Sequence, residues 1–186
     1  MQQRISRIEQ SSELIRGFQP AMVIGLVQTL DYTQAMMSAT ISGQRLDQLI
    51  QSRRDRQALL DTERRFTLLH AEGALRWHIG SPTVMAAQLD HLAELTGHPN
   101  LRLGVIPWDR PLTMHARHAF HLYDTHTVIV GTESGTAFIT DSVEVAAYDR
   151  RFTEFEHVAV FDDQAAPVFQ RVADEYRALA DRARHH

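Results

Sequence analysis

An α+β fold, close to α/β, is what this sequence predicts, and three observations predict it. Residues 66–108 read strand, short loop, helix, strand, with clear punctuation at each join. A β-α-β unit of this length makes parallel, right-handed neighbours. Two strand-like runs follow at residues 119–123 and 127–130, joined through Asp124-Thr125-His126, so a hairpin extends the unit. Segments with helical apolar spacing flank this stretch on both sides. The expected architecture is a sheet of about five strands, with N-terminal helices before it and C-terminal helices packed on it.

Residues 2–16 predict a polar helix with a thin stripe of Ile5, Ile8 and Ile15. Residues 18–29, broken by Pro20 and Gly25, predict a packed loop running into a helix near 31–38. Leu46, Leu49, Ile50, Arg53, Gln57 and Leu60 share helical spacing, which predicts a helix over 44–60. Residues 66–70 are strand formers. Ser81 then supplies an N-cap oxygen, and Pro82 stands at the first helical position, where its missing N–H costs nothing. Val84, Met85, Gln88, Leu89, Leu92 and Leu95 line one face of the helix that follows. Gly97 is placed for a left-handed residue after the helix, and Pro99 stops its continuation. Residues 101–106 are the second strand, ended by Pro107-Trp108. Residues 136–140 add a strand after the Ser134-Gly135 turn. Ser142 caps a helix carrying Val145, Tyr148, Phe152 and Phe155. A last helix over about 164–184 buries Val168, Val172, Tyr176 and Leu179. The chain thus divides into a connector helix (1–16), one domain (17–184), and His185-His186, which resemble the remnant of a purification tag.

Composition excludes several kinds of chemistry. With 186 residues, 44% hydrophobic, the chain is the size of one globular domain. It has no apolar run long enough for a membrane span and no secretion-signal core, so a cytoplasmic location is expected. It contains no cysteine, which excludes disulfides, thiolate catalysis and cysteine-based zinc sites. All 19 basic residues are arginine. A P-loop, a pyridoxal Schiff base and a protein-kinase site each need a lysine, so none can be built here.

Net charge is −4, which leaves no global attraction to a phosphate backbone. The charge is uneven. Residues 44–65 hold six arginines against four acids, and residues 141–175 hold nine acids against three arginines. These are either two solvated helical faces or a basic and an acidic face open to partners. Among the 11 histidines, His115, His118, His121 and His126 fall close together, but a loop-and-strand segment does not converge them tetrahedrally. No metal or cofactor is expected. No G-x-S-x-G elbow or G-x-G-x-x-G turn occurs, so no enzyme is expected. The one enzymatic reading left is a lysine-independent hydrolase using Glu72 and Glu133.

Six segments in order carry a family resemblance. They are GLVQTLDYTQA (25–35), RRDRQALL (53–60), EGALRWHIGSPTVMAAQLDHL (72–92), NLRLGVIPW (100–108), V-x-V-x-x-E (128–133) and DSVEVAAYDRRF (141–152). Together, over roughly residues 15–173, they resemble the C-terminal domain of helix-turn-helix regulators of the xenobiotic-response-element (XRE) family from actinomycete-type bacteria, described as antitoxin-like. The resemblance implies an N-terminal DNA-reading helix-turn-helix that this chain lacks, with residues 1–16 the end of its connector. It also implies a small acidic protein partner. One departure is Ile24, where that family usually has proline before the Gly-Leu-Leu-Gln-Thr segment.

The resemblance and the residue types mark three groups. Gln28, Thr29 and Tyr32 match the first motif and either cap a helix or line a pocket. Arg53, Arg56 and Gln57 share a helix face, forming either an ion-pair ladder with Asp55 and Glu63 or, with Arg54, a partner-facing ridge. Glu72 and Glu133 at strand ends, beside Arg76, Trp77 and Trp108, either form a ligand site at the sheet edge or simply pair with Arg76. The expected function is a regulatory domain that passes on the binding of a small acidic partner protein. The alternative is a small-molecule sensor. A homodimer through Val145, Tyr148, Phe152 and Phe155 is compatible with both.

Overall fold

The computed structural model describes residues 2–38, 40–112, 115, 117–132 and 134–184. The chain begins with α1 (Gln2–Ser11), β1 (Leu14–Gln19), α2 (Leu30–Met37) and α3 (Gln44–Gln57). The β-α-β unit follows as β2 (Arg65–Ala71), α4 (Pro82–Leu95) and β3 (Leu101–Ile106). Then come β4 (Phe120–Tyr123), β5 (Thr127–Thr132), β6 (Gly135–Ile139), α5 (Ser142–Val158), β7 (Val160–Phe161) and α6 (Ala166–Arg184). Among the described residues the fold is α+β, six helices on one mixed sheet of order β6-β5-β4-β1-β2-β3-β7. The neighbours β1, β2 and β3 run parallel, and the remaining pairings are antiparallel.

The sheet has seven strands where about five were expected, and β1 is the instructive addition. The helix expected over 2–16 stops at Ser11, and the boundary expected at residue 17 falls inside β1. This strand lies at the sheet's centre, between β4 and β2. Its sequence, LIRGFQ, hides it, because a strand covered on both faces need not alternate. Arg16 is tolerated there because its guanidinium reaches Asp149 at 2.6 Å. Gly17 is small because a Cβ would stand 2.9 Å from the His121 ring. The hairpin turn seats the start of the strand: the Asp124 carboxylate accepts the N–H groups of Glu13 and Leu14 at 3.1 and 2.8 Å.

Two cores flank the sheet. On one face Ile15, Phe66, Leu68 and Leu103 pack with Met85, Leu89, Phe169 and Val172 of α4 and α6. On the other, Phe18, Leu69, Phe120 and Val128 meet Val145, Phe152 and Phe155 of α5. The α5 aromatics Phe152 and Phe155 are thus core residues, which removes them from any dimer patch.

Local chemistry explains most element ends. Ser81 caps α4 by accepting the Val84 N–H at 3.2 Å, with Pro82 in the first turn as expected. Three details differ from expectation. Asp141, not Ser142, caps α5, accepting from Val143 and Glu144. Gly97 does not take the left-handed conformation, which falls to Gly43 and Gly80 among the glycines. In α6 the buried face is Phe169, Val172, Ala173 and Tyr176, while Val168 is half-buried and Leu179 exposed. The helix expected over 44–60 ends at Gln57 and tightens into a 3₁₀ turn. No helix among the described residues is long and apolar enough to cross a membrane.

Candidate functional site

The parallel strands β2 and β3 deliver Glu72 and Trp108 to neighbouring carboxyl ends, where open α/β sheets receive ligands. Glu72 is buried, yet its Oε2 accepts the Trp108 N–H at 2.9 Å. Its Oε1 accepts from Arg76 Nη2 at 2.7 Å and Arg171 Nη2 at 3.0 Å. Burial alone would raise the Glu72 carboxyl; the Trp108 amide and the two arginines outweigh it and hold the group below the usual carboxylate range. Trp108 stands 74% exposed, its ring lying over Gly73, where a Cβ would come within 3.1 Å. Glu72, Arg76, Trp108 and Arg171 line an open cleft of about 720 Å³. Trp77, also exposed, does not line it. Glu133 lies outside the described residues.

The expected pairing of Arg76 with Glu72 is present, but it is one edge of a larger cluster. Arg171 and Glu175 of α6 complete it, 99 residues from their partners. Their i,i+4 spacing pairs them locally on α6, but no local pattern brings them to Glu72 and Arg76, which they meet only after α6 packs on α4. The cleft's best-placed charges therefore satisfy one another.

Gln28, Thr29 and Tyr32 hold a loop together. The buried Gln28 side chain donates to Val23 O at 2.7 Å and accepts from Thr33 Oγ1 at 3.0 Å. Thr29 caps α2 by accepting the Tyr32 N–H, and its own N–H donates to Gln88 Oε1 at 2.6 Å. The Tyr32 hydroxyl accepts from Val23 N inside the core. All three are committed to packing the segment between β1 and α2.

The arginine row of α3 is split by the fold. Arg56 turns inward to a bidentate pair with Glu9 of α1, which replaces the expected ladder with Asp55 and Glu63. The Tyr123 hydroxyl donates to the same Glu9 at 3.4 Å. Glu9 carried a readable signal: it stands four residues after Ile5 on the apolar stripe of α1, where a carboxylate needs a partner. Arg53 also turns inward, and its guanidinium packs on Gly25, where any Cβ would displace it. Arg45 and Arg54 face solvent without an ion-pair partner among the described residues. None of the fourteen residues of α3 is fully buried. An open groove of about 750 Å³ runs between α1 and α3, lined by Ile5, Leu49 and Leu59 together with Arg7, Arg53 and Arg56.

The histidines follow separate fates. His121 lies beneath the groove, and burial first, then Arg56 and Arg53, push it down to about 3. His118 meets the Tyr148 hydroxyl at 3.3 Å under α5. Among the described residues no group of three histidine, aspartate or glutamate side chains is placed to hold a metal ion.

One family model matches this chain, over residues 2–171; it is described as a domain of unknown function (DUF5753). No curated protein matches the sequence.

Proposed function

We propose, from the premise that the chain belongs to the DUF5753 family, a domain of unknown function, that it is the regulatory domain of an antitoxin-like helix-turn-helix transcriptional regulator of the XRE type. In this reading the domain docks a small acidic partner protein on the face made by α1 and α3. DNA is contacted only through a separate helix-turn-helix module, and the working unit is a homodimer. The domain itself carries out no reaction.

One observation supports the docking face above the others. Helices α1 and α3 together hold six arginines against three acids, a net of +3, on a chain whose total is −4. The positive charge is thus concentrated on two adjacent helices. A positive face of this kind steers an acidic protein to one side of the molecule and raises its association rate. The weak covering of α3 adds apolar area for such a partner, since Leu46, Leu49 and Ile50 are only half-buried. Because α1 forms one wall, a partner across the groove would also fix α1 against the domain. That is how occupancy would pass to a module joined to α1. The strand-end cleft supports a sensor reading less well, because Glu72, Arg76 and Arg171 already pair with one another.

The test is capture from lysate of the native host on the immobilised domain, wild type against the double variant Arg45→Glu, Arg54→Glu. The wild type is expected to retain one small acidic protein near stoichiometrically. The variant is expected to lose it with the melting temperature nearly unchanged, since exposed charges contribute little to stability. Equal capture by both proteins would count decisively against this docking face.

A further inference from the structure

We propose that the groove between α1 and α3 is a binding site for a small organic carboxylate, one ionised head on an apolar body, with Arg53 pairing the head. This goes beyond a protein partner and stands or falls separately from it.

Arg53 is the first reason. Its neighbours on the same side of the molecule are occupied: Arg56 pairs with Glu9, and Arg64 donates to the backbone carbonyls of Glu9 and Gln10. Arg53 is half-buried and has no hydrogen bond or ion pair with any described residue. Burial, with Arg56 adding repulsion and Glu9 partly offsetting it, disfavours its charged form. A partly desolvated guanidinium without an acceptor is costly, and an incoming oxyanion removes that cost.

The position of Arg53 is also held open. Gly25 is the residue against which the guanidinium lies, and its missing Cβ is the space the guanidinium occupies. A side chain at 25 would displace the Arg53 guanidinium from this position. The sequence thus keeps a cation at the groove wall by leaving out an atom.

The remaining charges of the groove select the kind of head. Glu9 is neutralised by Arg56, and Asp55 accepts from Gln51 Nε2 at 2.7 Å. His121 below is held neutral and adds no charge. Arg53, with the exposed Arg7 also lining the groove, is then left for a carboxylate, which a guanidinium binds through two parallel N–H···O bonds. The body of the ligand meets Ile5, Leu49 and Leu59, which supply the apolar walls. The groove's volume, about 750 Å³, is in the range of about 300–1,000 Å³ typical of small-molecule sites.

Isothermal titration of the full chain with octanoate, octan-1-ol, acetate and inorganic phosphate tests the proposal, using wild type, Arg53→Gln and Arg54→Gln. Saturable octanoate binding is expected in the wild type and in Arg54→Gln, with at least about a tenfold loss in Arg53→Gln, the value of one charge-assisted pair. Octan-1-ol, acetate and phosphate are each expected to bind at least tenfold more weakly than octanoate. The side-chain Nε–H resonance of Arg53 should move on octanoate addition in the wild type, a readout that does not depend on a variant's folding. Absent octanoate binding, equal binding of octan-1-ol, tighter binding of phosphate, or a still Arg53 resonance would each overturn the proposal. Failure here with intact capture of an acidic protein leaves the docking face standing; the reverse result separates them the other way.

Discussion

At the scale of single residues, the decisive contacts join charges far apart in the chain. Glu72 places four donor atoms on two carboxylate oxygens while almost fully buried. Removing it leaves Arg76 and Arg171 with Glu175 alone and frees the amide that positions Trp108. Glu72→Ala is expected to cost about 1–3 kcal/mol, the range for losing one buried partner of a hydrogen-bonded set whose other members stay partly solvated. Urea titration measures that loss, and Trp108 fluorescence should shift with the freed loop. Loss below about 1 kcal/mol would mean the cluster is not structural. Ile24 is a second case. Its φ of −60° is the value that proline fixes, so the proline that the resemblance leads one to expect would fit the backbone. Yet the Ile24 N–H donates to Nε2 of buried His70 at 2.9 Å, a bond proline cannot make. Isoleucine at this position fits that need.

At the scale of elements, caps and periodicity decided what was legible. Strands β2 and β3, helix α4 and the β4–β5 hairpin were readable because their signals lie within a few residues of one another. Asp141 was missed as the α5 cap, since Asp141 and Ser142 are both good capping residues and only backbone angles choose between them. Asp141→Ala is expected to cost about 1 kcal/mol, against a few tenths for Ser142→Ala. Thermal denaturation of the two variants distinguishes them, and equal losses would place the cap differently. The sequence suggests helix for the first half of β1, because Ile5, Ile8 and Ile15 look like one stripe, and a packed loop for its second half. What makes residues 14–19 a strand is the availability of β2 and β4 on either side, which no local window contains.

For the whole molecule, buried histidines set the response to acid. Burial pushes His70 down to about 4 from the usual 6.5, opposed in part by the nearby Gly104 backbone. Between those values the unfolded chain binds a proton that the folded chain does not. Stability therefore falls as pH falls from about 6.5 towards 4, by up to about 1.4 kcal/mol per pH unit for this one group. Denaturant unfolding across that range measures the slope. His70→Gln is expected to flatten it without abolishing it, because burial also lowers His91 and His121. An unchanged slope in the variant would show that His70 titrates normally in the folded state.

The amino-acid sequence by itself determined the α+β class, the β-α-β unit, the hairpin, the missing lysine and cysteine chemistry, and the basic character of the α3 segment. These depend on composition or on residues within a turn or two of each other. Tertiary structure alone decided which arginine meets which carboxylate. Arg56 found Glu9 across 47 residues, Arg171 found Glu72 across 99, and Arg53 was left in a groove with Gly25 behind it. The physical reason is that an ion pair's energy depends on distance and desolvation in space, and packing of distant elements sets both.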